Sequence, residues 1–157
     1  MPQPELSAPV KILAVLAHPD DEAFGMGGTL AHYAKQGAEV SLICATLGEA
    51  GMVDPRLLQD GQTVASLREQ ELRCSAEALG LKEVILLGYR DSGMQGSPDN
   101  NHPQALAAQK LEEVTDKIAG HMRVLQPDIV LTFDPFGGYG HPDHIRIHEA
   151  ATRAFHL

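Results

Sequence analysis

Four short, nearly continuous apolar segments constrain what this chain can fold into. They are rich in Val, Ile and Leu and cover positions 11–17, 39–46, 83–87 and 128–133. Runs of this kind are typical of parallel strands that are covered on both faces. Helical patterns lie between them, so the sequence predicts right-handed strand–helix–strand crossovers. We therefore expect an α/β, Rossmann-like three-layer fold with a mostly parallel sheet in the order 3-2-1-4-(5).

The intervening segments carry recognisable helix ends. We expect helices at 27–36 and 63–79, the second with a capping box of Ser66 and Glu69 and a stop at Gly80. Two further helices are expected: one begins near Pro103, and the other begins just after His141 and runs into Phe155. An open sheet of this type normally adds another strand after such a helix. We therefore expect 1–157 to be a single domain that is truncated before a fifth strand and belongs to a longer protein.

The composition is that of an ordinary globular domain, with 43% hydrophobic and 21% charged residues. A formal net charge of −9 argues against nucleic-acid and anionic-membrane partners, because both are polyanions. Residues 1–9 lack the apolar core of a secretory signal, and no apolar run is long enough to span a membrane. Cys44 and Cys74 fall in a predicted strand and a predicted helix, where we expect buried free thiols. A cytoplasmic location is the expectation.

Two clusters of His and Asp follow the first and fourth apolar runs. The first is Ala17-His18-Pro19-Asp20-Asp21-Glu22, and the second is His141-Pro142-Asp143-His144. In a sheet of order 3-2-1-4 the first and fourth strands are neighbours, and the connections that leave their carboxyl ends open a crevice. We therefore expect the two clusters to face one another, although more than a hundred residues separate them.

The residue types in the clusters indicate a metal-dependent hydrolase. Catalytic zinc favours three protein ligands, commonly His and carboxylate, and one open position. His18 and Asp21 are close enough in sequence for one turn to aim both at an ion, and His144 can complete the set. Asp20 is then available as a base and His141 as an acid or positive group, as hydrolysis of an amide or ester requires.

Several motifs together resemble the LmbE-like, or PIG-L, family of zinc-dependent de-N-acetylases. Besides the two clusters they are Gly27-Gly28-Thr29-Leu30, Thr46-Leu47-Gly48-Glu49-Ala50-Gly51, Leu67-Arg68-Glu69, Arg90-Asp91-Ser92-Gly93-Met94 and Tyr139-Gly140. The resemblance implies removal of an acetyl group from an N-acetylglucosamine-containing small molecule. The Arg90–Met94 motif resembles the mycothiol-type branch. The likeness also implies a homo-oligomer, and one Zn²⁺ per chain, with Fe²⁺ or another divalent metal as alternatives.

The resemblance also implies roles for individual residues. It gives zinc binding to His18, Asp21 and His144, the general base to Asp20, and oxyanion stabilisation or amine protonation to His141, which Asp143 would orient. It implies substrate contacts from Arg68, Glu49 and Asp91 and a catalytic contact from Tyr139. Simpler interpretations stay open: Arg68 pairing with Glu69 or Glu71, a turn cap at Asp91, a solvated Glu49 and a helix cap at Asp143.

Three other functions stay open. An amidase of glucosamine-based thiol S-conjugates would use the same chemistry on a larger acyl group. An Fe(II) oxygenase also uses two His and one carboxylate. A non-catalytic module that binds metal or sugar is the third alternative.

Overall fold

Parallel strands form the centre of the computed structural model, which describes residues 8–157. The strands are β1 (Lys11–Leu16), β2 (Glu39–Cys44), β3 (Glu83–Leu86) and β4 (Ile129–Leu131); the helices are α1 (Asp21–Lys35), α2 (Val64–Leu79), α3 (Leu111–Leu125), the short α4 (Gly137–Gly140) and α5 (Pro142–Phe155). Single 3-10 turns lie at Pro55–Leu57, Pro98–Asn101 and Leu106–Ala108. The prediction that residues 1–9 are not a signal falls mostly outside the described residues.

The sheet has the order β3-β2-β1-β4, and all its pairings are parallel. The predicted α/β class and strand order are therefore confirmed. In β1, Ile12 pairs with Val40 of β2 on one side and with Ile129 of β4 on the other. This register places the carboxyl ends of β1 and β4 next to each other.

Alternate residues of β1 enter two separate cores. Leu13 and Val15 pack into the layer formed by α3 and α5, with Ile118 and Ile147 among the buried partners. The residues between them, Ile12, Ala14 and Leu16, pack on the other face against Leu30 of α1 and Leu72 of α2. Since side chains alternate along a strand, one apolar run supplies both faces of a three-layer structure.

Helix α1 begins at Asp21, earlier than the predicted start at position 27. The carbonyl of Asp20 accepts the amides of Ala23 and Phe24 at 3.0 and 2.9 Å, which starts the helix. Two acids in the first turn, Asp21 and Glu22, suit the positive end of the helix dipole. The glycine-rich stretch interrupts the helical geometry only at Met26, where φ is −147°.

The capping box of α2 involves different residues from those predicted. Thr63 is the N-cap: its Oγ1 accepts the Ser66 amide at 3.1 Å, and the Ser66 hydroxyl accepts the Thr63 amide at 3.0 Å. Ser66 is therefore the third helical residue and not the cap, so the Ser66–Glu69 box is wrong. The predicted stop at Gly80 is confirmed, with φ 75° in the left-handed region.

Helix α3 begins at Leu111, so the predicted start near Pro103 is wrong. The segment around Pro103 instead pairs with the loop that follows β3. The Arg90 amide donates to the Gln104 carbonyl and the Leu106 amide donates to the Arg90 carbonyl, both at 2.9 Å. These backbone bonds hold the segment in a turn and a single bridge to Arg90, which excludes an α-helix there.

One cysteine prediction is confirmed and the other is wrong. Cys44 is buried in β2, but Cys74 is exposed on α2 because it lies between the two buried positions of that helix, Leu72 and Ala76. Both thiols are free. No helix within residues 8–157 has the length and apolar character needed to cross a membrane.

Truncating the centre of the sheet is expected to destabilise the fold. Leu42 of β2 is fully buried, and Leu42→Ala removes apolar burial and leaves a cavity, which costs about 2–5 kcal/mol. Leu57→Ala deletes the same atoms at a position that is 66% exposed and is expected to change stability by less than about 0.5 kcal/mol. Urea unfolding monitored by circular dichroism measures both. Equal losses in the two variants would contradict the core described above.

Candidate metal centre

The carboxyl end of β1 delivers His18 to the edge of the sheet. The His18 backbone amide donates to Oδ2 of Asp21 at 2.8 Å and closes the turn into α1. The residue before it is held by the neighbouring strand end, since the Ala17 carbonyl accepts the backbone amide and the hydroxyl of Thr46 at 2.9 and 3.0 Å. The turn therefore fixes both His18 and Asp21 relative to the sheet.

Helix α5 brings a second pair of histidines to the same edge. His141 is its N-cap, with Nδ1 accepting the Asp143 amide at 3.1 Å, and Pro142 occupies the first helical position. His144 follows on the first turn and is buried. Because β4 pairs with β1, the start of α5 faces the end of β1, and the structure brings the two clusters together.

Three residues of the clusters, His18, Asp21 and His144, bring their side chains together in a small triangle. His18 Nδ1 lies 3.2 Å from His144 Nε2. The Asp21 carboxylate lies 3.6 Å from His18 Nδ1 through Oδ2 and 3.4 Å from His144 Nε2 through Oδ1. Two atoms that each lie about 2.0–2.1 Å from a tetrahedral zinc ion are about 3.3 Å apart. The spacing of the triangle therefore suits one small metal ion.

The His144 ring is held from behind. Its Nδ1 lies 3.2 Å from the Gly137 carbonyl, which can only accept, so Nδ1 carries the hydrogen and Nε2 presents a lone pair. Phe133 stacks on the ring at 3.9 Å between centroids. A Cβ at residue 137 would lie 2.9 Å from the backbone nitrogen of Ile145, so the close approach requires Gly137.

The His18 ring is held by carboxylates on its other side. Nε2 lies 3.1 Å from Oδ2 of Asp143 and 3.4 Å from Oδ1 of Asp91. Burial by itself lowers the pKa of His18, but hydrogen bonds to Asp143, Asp21 and Asp91 outweigh it and raise the pKa well above the usual value. With Nε2–H donated to Asp143, Nδ1 faces Asp21 and His144, where a metal ion can replace its proton.

The resulting donor set calls for a cation. Two imidazole nitrogens and one carboxylate converge, and the raised pKa of His18 means that, without an ion, a proton on Nδ1 lies between them. Burial alone raises the pKa of Asp21, yet the His18 ring and the charges of His18 and His144 lower it. A buried cluster of acceptors is costly unless a positive charge is shared among them. The residues present therefore fit a metal ion.

Two further groups of ligand atoms lie within 4.8 Å of one another: His18 with His141 and His144, and His18 with Asp91, His141 and Asp143. The carboxylates of the second group already accept backbone amides. Asp91 Oδ1 accepts from Gly93 at 2.8 Å, and Asp143 Oδ2 accepts from Ser92 at 2.9 Å. In Asp21 only Oδ2 accepts a backbone amide, that of His18, whereas Oδ1 has no donor within residues 8–157 and lies 3.4 Å from His144 Nε2. The hydrogen-bonding pattern therefore favours the triangle as the ion-holding set.

The carboxylate of Asp143 makes its hydrogen bonds to His18 and Ser92, and the implied role of orienting His141 stays a prediction. The carboxylate accepts His18 Nε2–H, while only the backbone amide of Asp143 contacts His141. The amide of a first-turn residue points back to the N-cap, whereas the Asp143 side chain lies in the interior, with no exposed surface. Burial, followed by the charge of His18, lowers the pKa of His141 to about 4. Because Nδ1 accepts the amide, neutral His141 presents Nε2–H.

Asp20 pairs with Arg68 across the mouth of the site. Arg68 Nη2 donates to Oδ2 of Asp20 at 2.7 Å and also to the Pro19 carbonyl, while Nη1 donates to the Gly48 carbonyl at 3.1 Å. The guanidinium therefore joins α2 to two strand-end loops. Within residues 8–157, Arg68 forms its ion pair with Asp20 and with neither Glu69 nor Glu71. Glu69 pairs instead with Arg73.

The backbone at Asp20 is strained. Its φ of 112° lies in a region that residues with a Cβ seldom adopt and that costs about 1–3 kcal/mol. The Asp20 amide donates to the buried Glu22 carboxylate at 3.0 Å, which holds this conformation together with Arg68. Burial raises the pKa of Asp20, and the charge of Arg68 opposes that shift.

The side chains of Glu49 and Asp91 each bind a backbone amide of the other residue's loop. Glu49 Oε2 accepts the Asp91 backbone amide at 2.9 Å, and Asp91 Oδ2 accepts the Ala50 amide at 3.3 Å. Asp91 also caps its own turn through the Gly93 amide, as the simpler interpretation predicted. Burial alone raises the pKa of Asp91, but the hydrogen bond and charge of His18 lower it strongly.

Tyr139 and two clefts surround the centre. The Tyr139 ring is 63% exposed and lies edge-on to His144, with centroids 5.1 Å apart. Clefts of about 390 and 360 Å³ lie on either side of the Asp20–Arg68 pair, which lines both of them together with Glu71. An organic molecule can therefore approach Asp20 from the protein surface.

Sequence reasoning gave no role to three residues that support the centre. These are Phe133, Gly137 and Ser92. Phe133 and Gly137 hold the His144 ring, and Ser92 bonds Asp143 through both its amide and its hydroxyl. Ser92 lies in a motif that the resemblance singled out, which was a signal for it. No sequence pattern marked the other two.

Comparison with known proteins gives consistent results. Residues 13–155 match the profile of the PIG-L family, described as GlcNAc-PI de-N-acetylase. The 1D-myo-inositol 2-acetamido-2-deoxy-alpha-D-glucopyranoside deacetylase of Actinosynnema mirum is 42% identical over 158 residues, 95% of this chain and 56% of that protein. The deacetylase of the same name from Kineococcus radiotolerans is 46% identical over 167 residues, 97% of this chain and 46% of that protein.

Among solved structures, the N,N'-diacetylchitobiose deacetylase of Pyrococcus horikoshii superimposes with a TM-score of 0.71 at 32% identity, covering 92% of this chain and 48% of that one. The chain thus spans about half the length of the relatives it matches. The family match extends from β1 to α5 and includes both clusters. This chain belongs to the PIG-L family.

Proposed function

We propose that the site belongs to a zinc-dependent hydrolase that removes the acetyl group from an N-acetylglucosamine-containing conjugate. The observation that carries the proposal is the triangle of His18 Nδ1, Asp21 and His144 Nε2, with His18 Nε2–H and His144 Nδ1–H donated away from it. The names of the two relatives, both sugar deacetylases, support the substrate class.

His18, Asp21 and His144 would hold the zinc ion. When bound, zinc supplies Lewis-acid polarisation of the amide carbonyl and lowers the pKa of a water molecule. The facing carboxylates Asp143 and Asp91 keep His18 oriented and its Nε2 protonated. In this arrangement Asp20, which follows His18 in the same turn, would not bind the zinc ion.

Asp20 would act as the general base. Its Oδ2 is bound by Arg68, whereas Oδ1 has no hydrogen-bond donor within residues 8–157. Its pKa is raised by burial, which makes it a better proton acceptor. As water attacks the carbonyl carbon, Asp20 takes a proton from the water. When the C–N bond breaks, Asp20 gives that proton to the leaving amine, and acetate and the free amine result.

His141 would stabilise the oxyanion of the tetrahedral intermediate. With a pKa of about 4 it is neutral at pH 7, and its Nδ1 accepts the Asp143 amide, so Nε2–H is available as a donor. A neutral, buried hydrogen-bond donor suits a developing negative charge. Tyr139, exposed beside His144, would contact the same end of the substrate.

The three residues expected to contact substrate have protein partners in the structure. Glu49 and Asp91 accept backbone amides, and Arg68 donates to carbonyls and to Asp20. We propose that Glu49 and Asp91 shape the pocket loops and that Arg68 sets the position of Asp20. A homo-oligomer, a cytoplasmic location and the absence of nucleic-acid or membrane partners stay predictions, the last supported by the charge of −9.

Loss of a metal ligand is expected to abolish tight zinc binding. His18→Ala and His144→Ala each remove one of three donors, so zinc affinity should fall by more than the 10–100-fold that outer-shell changes cost. Competition with a chromogenic chelator measures it. His32→Ala is the control, because His32 is exposed on α1 and its Nε2 pairs with the Gln36 side chain. Activity should vanish on chelation and return with Zn²⁺; full activity in chelator-treated protein would refute the proposal.

Asp20→Asn is expected to preserve zinc binding and to lower kcat by about 10²–10⁴-fold, the usual contribution of a general base. Asn tolerates positive φ, so the strained turn should persist. Asp60→Asn, at an exposed position that lines neither of the two clefts, is the matched control and should keep full activity. The measurement is amine release from N-acetylglucosamine conjugates, with thiol S-conjugates assayed in parallel. Undiminished turnover in Asp20→Asn would exclude this role.

Arg68→Ala is expected to lower kcat by about 10–100-fold while KM changes little, because the variant loses a charge-assisted hydrogen bond to Asp20 worth roughly 1.5–3 kcal/mol. Arg68→Lys should recover only part of the loss, since a single ammonium cannot reach all three oxygens. Steady-state kinetics on the same substrate separate kcat from KM. A large rise in KM at constant kcat would show instead that Arg68 contacts the substrate directly.

A further inference from the structure

Ser92 is a fully buried residue that binds both oxygens of one carboxylate. Its hydroxyl donates to Asp143 Oδ1, and its backbone amide donates to Asp143 Oδ2 at 2.9 Å. Ser92 lies in the loop after β3, and Asp143 lies in the first turn of α5. The contact therefore joins two elements that the sheet does not itself connect.

The Ser92 hydroxyl has one hydrogen, and its surroundings commit that hydrogen to Asp143. Oγ accepts the Ala107 backbone amide at 2.9 Å, so the amide occupies an acceptor site of the hydroxyl. The side-chain amide of Asn100 donates to the Ser92 carbonyl and fixes the loop from the other side. These contacts hold Ser92 in one orientation independently of its bonds to Asp143.

The carboxylate of Asp143, fixed by Ser92, in turn binds the ring of His18. Its Oδ2 accepts His18 Nε2–H at 3.1 Å, and the opposite ring nitrogen faces Asp21 and His144. A histidine that binds metal through one nitrogen commonly donates the other N–H to a carboxylate, which fixes the tautomer and the ring plane. Here the carboxylate has no exposed surface and is itself fixed by Ser92.

We propose that Ser92 is a positioning residue for the metal centre, acting through Asp143 on the ring of His18. The inference rests on the proposed zinc site. Asp91 lies 3.4 Å from the same His18 nitrogen and is the competing acceptor. Without the Ser92 hydroxyl, Asp143 Oδ1 loses its donor, the carboxylate can rotate, and His18 Nε2–H can turn towards Asp91. The Nδ1 lone pair then moves out of the triangle.

The test is the zinc affinity of Ser92→Ala in the full-length protein, measured by chelator competition without any substrate. We expect affinity to fall by about 10–100-fold, the range for residues that orient a ligand. Ser97→Ala is the matched control: Ser97 lies in the same loop and caps the 3-10 turn at Pro98–Asn101, without contact to Asp143. Its zinc affinity should equal that of the unmodified protein.

A second measurement separates positioning from a merely structural bridge. In ¹⁵N-labelled protein loaded with Zn²⁺, the His18 Nε2–H should give a ring N–H signal protected from solvent exchange. This signal should shift or exchange faster in Ser92→Ala and in Asp143→Asn, the second variant, which supplies the answer if Ser92→Ala folds poorly. Ser97→Ala should leave the signal unchanged.

The outcomes distinguish the inference from the proposal beneath it. If His18→Ala and His144→Ala lose zinc while Ser92→Ala and Asp143→Asn bind it within about twofold of the unmodified protein, the role of Ser92 is wrong and the zinc site stands. If His18→Ala and His144→Ala bind zinc normally, the zinc site itself is wrong. Reduced affinity with an altered His18 signal in Ser92→Ala supports the inference.

Discussion

The parallel pairing of β1 with β4 is the constraint on which the site depends. Ile12 opposite Ile129 sets the register of these strands, and their carboxyl ends then lie side by side. His18 leaves one end and His144 follows the other, so nitrogens from residues 126 positions apart come within 3.2 Å. Because both faces of β1 are buried in apolar layers, a one-residue shift of register would exchange the side chains of the two cores and disrupt the packing of both. The packing that stabilises the sheet thus also fixes the separation of the ligands.

Polar groups gathered at such an edge need neutralisation, and the chain supplies it in two ways. Backbone amides serve the outer carboxylates: Asp91 accepts those of Ala50 and Gly93, and Asp143 accepts that of Ser92. The inner carboxylate, Asp21, has the His18 amide on one oxygen and faces two imidazole nitrogens. Hydrogen bonds therefore satisfy the periphery, while the centre is left with acceptors that a cation can satisfy.

The sequence was sufficient for the sheet and for the meeting of the two clusters, because apolar runs and strand order are properties of pattern. It was insufficient where a backbone or side chain had several partners to choose from. Nothing local shows that the segment at Pro103 pairs with Arg90 instead of starting a helix. Likewise, the direction of the Asp143 carboxylate, towards His18 and not His141, depends on Ser92, which is far away in sequence. Family resemblance named the right motif but could not supply that contact.

The turn after β1 separates the roles of two adjacent acids by backbone conformation alone. Asp21 begins α1 and points inward to the histidines, whereas the positive φ at Asp20 turns its side chain outward to Arg68 and the clefts. The strain of about 1–3 kcal/mol is tolerated because Glu22 and Arg68 hold the turn from both sides. This strained turn would therefore let consecutive residues take the two proposed roles, Asp21 as metal ligand and Asp20 as general base.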